Sequence, residues 1–149
     1  MWSRRSPCFF PAQDLDGNSH AERDDAPSVL VVEDEILVRM FAADVLEDAG
    51  FLVEQAATAG EALSKLQLTP RLSAAVIDLG LPDRLGDELA AEMRAVRGSL
   101  PILIASGRSE IELKERFASD THVAMLMKPY TGSMLLGALE GLGVRRVSS

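Results

Sequence analysis

Leu72-Ser73-Ala74-Ala75-Val76-Ile77-Asp78-Leu79-Gly80-Leu81-Pro82 is the stretch on which the fold turns. Ala74 to Ile77 is a short continuous apolar run, which reads as a strand buried on both faces, and a lone carboxylate, Asp78, follows it at once. In open α/β sheets ligands sit beyond the C-terminal strand ends, where loops leave a crevice while helices cover the faces. Gly80 and Pro82 predict an immediate stiff turn, since glycine accepts backbone angles other residues avoid and proline fixes its own φ. Asp78 is therefore expected at a rim.

Moving outward, the same pattern recurs. Val29-Leu30-Val31-Val32 is a second β-branched run and stops at Glu33, Asp34 and Glu35. Ile36, Leu37, Met40, Phe41, Val45 and Ala49 then follow at helical spacing, and Gly50 is placed to end that helix. Phe51-Leu52-Val53 predicts a short strand. Thr58-Ala59-Gly60-Glu61 has capping-box spacing for a helix to about Leu68, which Thr69-Pro70 breaks. After the Asp78 strand, a helix from Gly86 carries Leu89, Met93 and Val96 on one face and stops at Gly98. Pro101 to Ala105 is a fourth strand that delivers Ser106 and Gly107 to a loop. Ser109 to Glu112 opens a short helix to Phe117 or Ala118. Val123 to Met127 is the fifth strand, ending at Lys128-Pro129, and Thr131 caps a last helix through Leu142 that Gly132, Gly137 and Gly141 weaken. Five strands alternating with five helices imply an α/β fold: a doubly wound five-stranded parallel sheet with helices on both faces. Right-handed crossovers gather the C-terminal strand ends along one edge.

Composition narrows the function classes. The 149 residues fit one domain, read as 28–143, with a disordered leader at 1–27 and a short tail at 144–149. The net charge of −8 argues against a nucleic-acid surface, which needs clustered Lys and Arg, and Arg145-Arg146 is too short to supply one. Cys8 is the single cysteine, which excludes an intrachain disulfide and a cysteine-based zinc site. Ser3-Arg4-Arg5 starts like a twin-arginine signal, but no apolar segment follows, and no run is long enough for a membrane span. The expectation is a cytoplasmic protein. No glycine-rich phosphate loop follows the first strand, which disfavours nucleotide binding.

The strand ends carry Glu33, Asp34, Asp78, Ser106 and Lys128. Three converging carboxylates resist ionising together unless a cation compensates them, and all-oxygen ligands suit Mg²⁺. A hydroxyl and an ammonium beside that ion are what a phosphoryl group needs, and Asp78 is then a nucleophile able to form an acyl phosphate. A hydrolase with an aspartyl nucleophile usually wants a second acid two residues on, and Gly80 stands there. Taken singly the residues have plainer readings. Asp78 is also a turn cap, Glu35 a first-turn helix charge, His122 a strand-edge residue, and Met125 and Met127 core.

The run Val29 to Asp34, then Asp78-Leu79-Gly80-Leu81-Pro82 with Gly86, Ala105-Ser106-Gly107 and Lys128-Pro129, in this order and spacing, resembles the receiver domain of bacterial two-component response regulators. The resemblance covers about Ser28 to Leu142. It implies a flavodoxin-like sheet of order 2-1-3-4-5, Asp78 as phosphoacceptor, and Mg²⁺ held by Asp34, Asp78 and the backbone carbonyl of Gly80, with Glu33 acting through water. Ser106 matches the switch hydroxyl and Lys128 the phosphate-pairing lysine, with a cis peptide at Pro129. The implied donor is a sensor histidine kinase or a histidine phosphotransfer protein, and a homodimer is compatible with it. Many receivers carry Tyr or Phe three residues before the lysine. This chain has Met125 there, and Tyr130 follows Pro129 instead. Arg108 stands where an Ala-Thr-Gly-Tyr subgroup has its tyrosine. The short end after the last helix predicts a stand-alone receiver that signals by phosphorylation-dependent protein contact or serves as a phosphate sink. The alternative is a phosphorylation-independent interaction module of the same fold.

Overall fold

A computed structural model describes residues 26–107, 115 and 120–144. Most of the leader, the tail from residue 145, Arg108 and, Glu115 apart, the helix expected after Ser109 lie outside the described residues. The described elements are β1 (Ser28–Val32), α1 (Ile36–Asp48), β2 (Leu52–Ala56), α2 (Ala59–Leu68), β3 (Leu72–Asp78), α3 (Gly86–Val96), β4 (Ile102–Ser106), β5 (Val123–Met127) and α4 (Gly132–Gly141). The strands form one parallel sheet in the order β2-β1-β3-β4-β5, the order the resemblance implied.

Each central strand buries both of its faces, which is why its sequence is unbroken apolar rather than alternating. On one face Leu30, Val32, Ile77, Ile102 and Ile104 pack under Leu66 of α2 and Leu89 and Met93 of α3. On the other, Val29, Val31, Val76 and Leu103 pack under Leu46 of α1 and Leu135 and Leu139 of α4. Each such side chain contributes about 1.5–3 kcal/mol when withdrawn from water, so β1, β3 and β4 form a rigid base for whatever their ends carry. The edge strands are less buried. β2 runs to Ala56, beyond the apolar triplet at 51–53, because pairing of Gln55 with Val31 and Ala56 with Val32 needs backbone only. Polar Glu54 and Gln55 are tolerated at an edge and hide the strand from a hydrophobic reading.

The helix ends largely follow their capping signals. Thr58 Oγ1 accepts the Glu61 N–H at 3.1 Å, and Glu61 Oε1 reaches back to the Ala57 N–H at 2.6 Å. Thr131 Oγ1 likewise accepts the Met134 N–H at 3.1 Å. Gly50, at φ 98°, ends the turn after α1. The core face of α1 differs from the one its large apolar residues mark. Ala42, Ala43 and Leu46 are buried, whereas Ile36, Leu37, Met40 and Phe41 are exposed. Small alanines let the helix approach the sheet, while its first turns carry the large residues beside the strand ends. In α3, Leu89 and Met93 face the core but Val96 is exposed.

Candidate functional site

The sheet register decides which side chains meet. Val32 lies opposite Ile77, Asp78 opposite Ala105, and Ala105 opposite Leu126, so Glu33 follows β1 level with Asp78 at the end of β3. Lys128 stands two residues beyond that level, roughly 6–7 Å further along its strand direction, a gap its long stem spans. The Lys128 N–H donates to the Ser106 carbonyl at 2.9 Å, which ties the end of β5 to β4, and the Lys128–Pro129 peptide is cis.

At this edge the Lys128 ammonium donates to Glu33 Oε2 and to Asp78 Oδ1, both at 2.9 Å. Both acids are nearly enclosed, at 4% and 8% exposed, and Ser106 is 2% exposed. The other Glu33 oxygen, Oε1, accepts the Glu35 N–H at 3.1 Å. Burial pushes the Glu33 carboxyl above its ordinary value, against the opposing pull of Lys128 and the Glu35 amide. Burial alone would lower the Lys128 pKa, but Glu33 and Asp78 outweigh it and hold the ammonium above the usual lysine value. Lys128 is thus a fixed cation.

Asp34 is exposed, and it completes a group with Glu33 and Asp78 whose carboxylate oxygens lie within 4.8 Å of one another. Three acids against one ammonium leave negative charge over, and every available donor is oxygen. That donor set fits a hard divalent cation such as Mg²⁺. Beside it opens a cleft of about 450 Å³ lined by Asp78, Gly80, Leu85, Ser106 and Lys128 among others. The structure therefore brings together all six residues singled out in the sequence, with Asp34 in the acid group and the other residues at or against the cleft.

The loop after β3 closes on itself. The Gly86 N–H donates to the Leu79 carbonyl at 2.7 Å, and Gly80 and Leu85 form an antiparallel bridge. A Cβ on Gly86 would lie 2.4 Å from the Asp78 carbonyl oxygen, so only glycine lets α3 start this close to the acid. Sequence reasoning missed two supports. Arg39 Nη1 donates to the Glu33 carbonyl at 2.8 Å while its Nε donates to Gln55 Oε1 at 3.2 Å, bracing the acidic turn against β2. Asp83 accepts amides from the start of α2. Neither residue belongs to an apolar period or a strand end, so no pattern marked it. Met125 packs partly buried against the α2/α3 core, whereas Tyr130 lies on the α1/α4 side with its ring 6.1 Å from Phe41 at 44°.

A family model described as the response regulator receiver domain matches residues 29–140. The chain belongs to that family. Receiver domains accept phosphoryl groups from histidine kinases and bind Mg²⁺ at an acidic pocket. The receiver is 31% identical over 112 residues to the transcriptional regulatory protein PdtaR of Mycobacterium tuberculosis, covering 75% of this chain and 54% of that one. It is 35% identical over 120 residues to the two-component response regulator PhoP of Pseudomonas aeruginosa, covering 80% and 52%. It thus spans about half the length of these curated relatives. Among solved structures, the chemotaxis protein CheY4 of Vibrio cholerae superposes with a TM-score of 0.73 at 30% identity, covering 78% of this chain and 98% of that one. No helix among the described residues is long and apolar enough to cross a membrane.

Proposed function

We propose that this receiver takes a phosphoryl group from a phosphohistidine onto Asp78. The observation that carries the reading is the Lys128 ammonium held 2.9 Å from both Glu33 and Asp78, at the mouth of a cleft that Ser106 also lines. In the transfer an Asp78 carboxylate oxygen attacks phosphorus, the P–N bond breaks, and the imidazole leaves with the electron pair and takes up a proton. Lys128 pairs with the charge on the phosphoryl oxygens, and the Ser106 hydroxyl donates to one of them. Asp34, Asp78 and the Gly80 carbonyl would hold Mg²⁺, with Glu33 acting through water. When bound, the ion neutralises phosphoryl charge. Gly80, with no side chain, offers neither an acid nor a base for hydrolysis, which supports a phosphoacceptor rather than a turnover enzyme.

Under this reading the donor is a sensor histidine kinase or a histidine phosphotransfer protein in the cytoplasm. The receiver domain occupies 28–143, and the signal leaves by contact of the last strands and helices with a protein, or the receiver drains phosphate from another branch. The stand-alone form is tested by the mass of the polypeptide in its own cells: a species near 16.1 kDa supports it, and a longer one replaces it with a receiver module of a larger protein. For the chemistry, incubation with a phosphorylated kinase, or with acetyl phosphate and Mg²⁺, labels wild type and leaves Asp78→Asn unlabelled. Equal labelling of the two would overturn the assignment in favour of another acceptor, and no labelling of either would favour the phosphorylation-independent module.

A further inference from the structure

The first turn of α2 exposes three backbone amides, and its own residues satisfy only one of them. Thr58 Oγ1 takes the Glu61 N–H, while the Glu61 carboxylate is directed back to Ala57. The amides of Ala59 and Gly60 are taken from outside the helix. Asp83 Oδ1 accepts the Ala59 N–H at 2.9 Å and Asp83 Oδ2 accepts the Gly60 N–H at 3.0 Å. Asp83 lies 23 and 24 residues away along the chain, near the tip of the loop joining β3 to α3.

That loop is pinned at its base by the Gly86 amide on the Leu79 carbonyl and by the Gly80–Leu85 bridge. On its far side Arg84 pairs with Glu92 of α3. The grip of Asp83 on α2 ties the loop to the neighbouring helix on the same face of the sheet. Gly80 sits in the same loop, close enough to the acid that a Cβ there would be 3.9 Å from Asp78 Oδ2. A ligand carried on a loop backbone has no side chain of its own with which to adjust, so its position is the position of the loop.

We infer that Asp83 is a positioning residue for the metal site: by holding the first two amides of α2 with both carboxylate oxygens, it fixes the 79–86 loop and the Gly80 carbonyl offered to Mg²⁺. The inference rests on the metal reading proposed above. The two amides also keep the Asp83 carboxyl below its ordinary value, so the grip persists through the neutral range.

The test is a titration of the metal-stripped full chain with Mg²⁺ alone, read by calorimetry and by the Gly80 amide in ¹⁵N spectra, with thermal unfolding measured in parallel. Asp83→Ala removes the grip. Thr58→Ala removes the helix's own cap and leaves the loop attached, so it loosens the same turn of α2 without touching Gly80. Partners that orient metal ligands are worth about 10–100-fold in affinity, and the expected result is Mg²⁺ binding weakened about tenfold in Asp83→Ala, within about twofold of wild type in Thr58→Ala, and intermediate in Asp83→Asn, which keeps one acceptor. Unchanged affinity in Asp83→Ala overturns the inference, as does equal weakening by Thr58→Ala, which would make helix stability the cause. Wild type that shows no saturable binding overturns the metal reading itself and this inference with it.

Discussion

Replacing Lys128 by Met keeps the stem and removes the ammonium that two enclosed carboxylates share at 2.9 Å each. Removing one partner of a buried ion pair typically costs about 3–5 kcal/mol, because the remaining charge stays where water is scarce. The Lys128 side chain is 24% exposed, so solvent screens part of this, and a cost of about 2–3 kcal/mol near neutral pH is the working figure. For a domain of this size that corresponds to a fall in Tm of about 8–12 °C in metal-free buffer. The pH dependence separates this cause from loss of packing. Lys128, its pKa raised in the fold, contributes stability that its own deprotonation removes only as pH rises through the raised value, so no titration of the ammonium itself shapes the acid and neutral range. Glu33, raised by burial, favours the fold while protonated and costs stability as pH rises through its raised pKa. Without the ammonium that second cost grows. The gap in Tm between wild type and Lys128→Met should therefore be small near pH ~4 and full near pH ~8. In a Glu33→Gln background, where one of the two charges is already gone, the same substitution should cost about half as much. A gap independent of pH, and unchanged by Glu33→Gln, would show that Lys128 acts by packing and not as the counter-charge of the site.

Gly86→Ala places its Cβ against the Asp78 carbonyl and the Leu79 backbone, neither of which is a flexible side chain, so a loss of about 1–3 kcal/mol in denaturant unfolding and reduced phosphoryl labelling are expected together; a wild-type midpoint would contradict the close approach. Saturating Mg²⁺ stabilises whatever binds it, by about 2.7 kcal/mol at a hundred times Kd, and Asp34→Ala should abolish that gain while leaving the metal-free Tm near that of wild type, since Asp34 is exposed; an undiminished gain would place the ion elsewhere. Tyr130 is the single tyrosine, so 3-fluorotyrosine gives one ¹⁹F resonance; with its ring on Phe41 and its backbone two residues from Lys128, that resonance should move when Mg²⁺ and beryllofluoride are added to wild type and stay still in Asp78→Asn. Movement in both would report on metal alone.

Much of the site was legible because its residues share one grammatical position: each follows, or closes, an apolar strand. In a parallel sheet that position is also a place, since right-handed crossovers bring every such end to one edge. Asp78 and Ser106 close β3 and β4, and Glu33 and Lys128 follow β1 and β5 by one residue. What failed to show follows from the same logic. The large apolar residues of α1 satisfy a helical period, but the helix docks through Ala42, Ala43 and Leu46, and a spacing rule weighted by hydrophobicity discounts alanine. β2 stays paired through two polar residues because an edge strand needs its backbone more than its side chains.

The two supports act through partners that no strand-end pattern marks: Arg39 joins the Glu33 carbonyl to the Gln55 side chain of β2, and Asp83 accepts two main-chain amides of α2, 23 and 24 residues away. Such contacts carry no local signature, since any carboxylate can cap any helix that the fold brings near it. The chemistry of this edge is therefore written in residue identities at strand ends, whereas its geometry is set by side chains whose sequence context is ordinary. On the positioning role inferred for Asp83, a chain that keeps every acid, the hydroxyl and the lysine would still lose metal affinity through Asp83 alone. This makes the Asp83→Ala and Thr58→Ala pair a sharper probe of the site than replacement of a carboxylate, which removes ligand and charge at once and cannot tell position from chemistry.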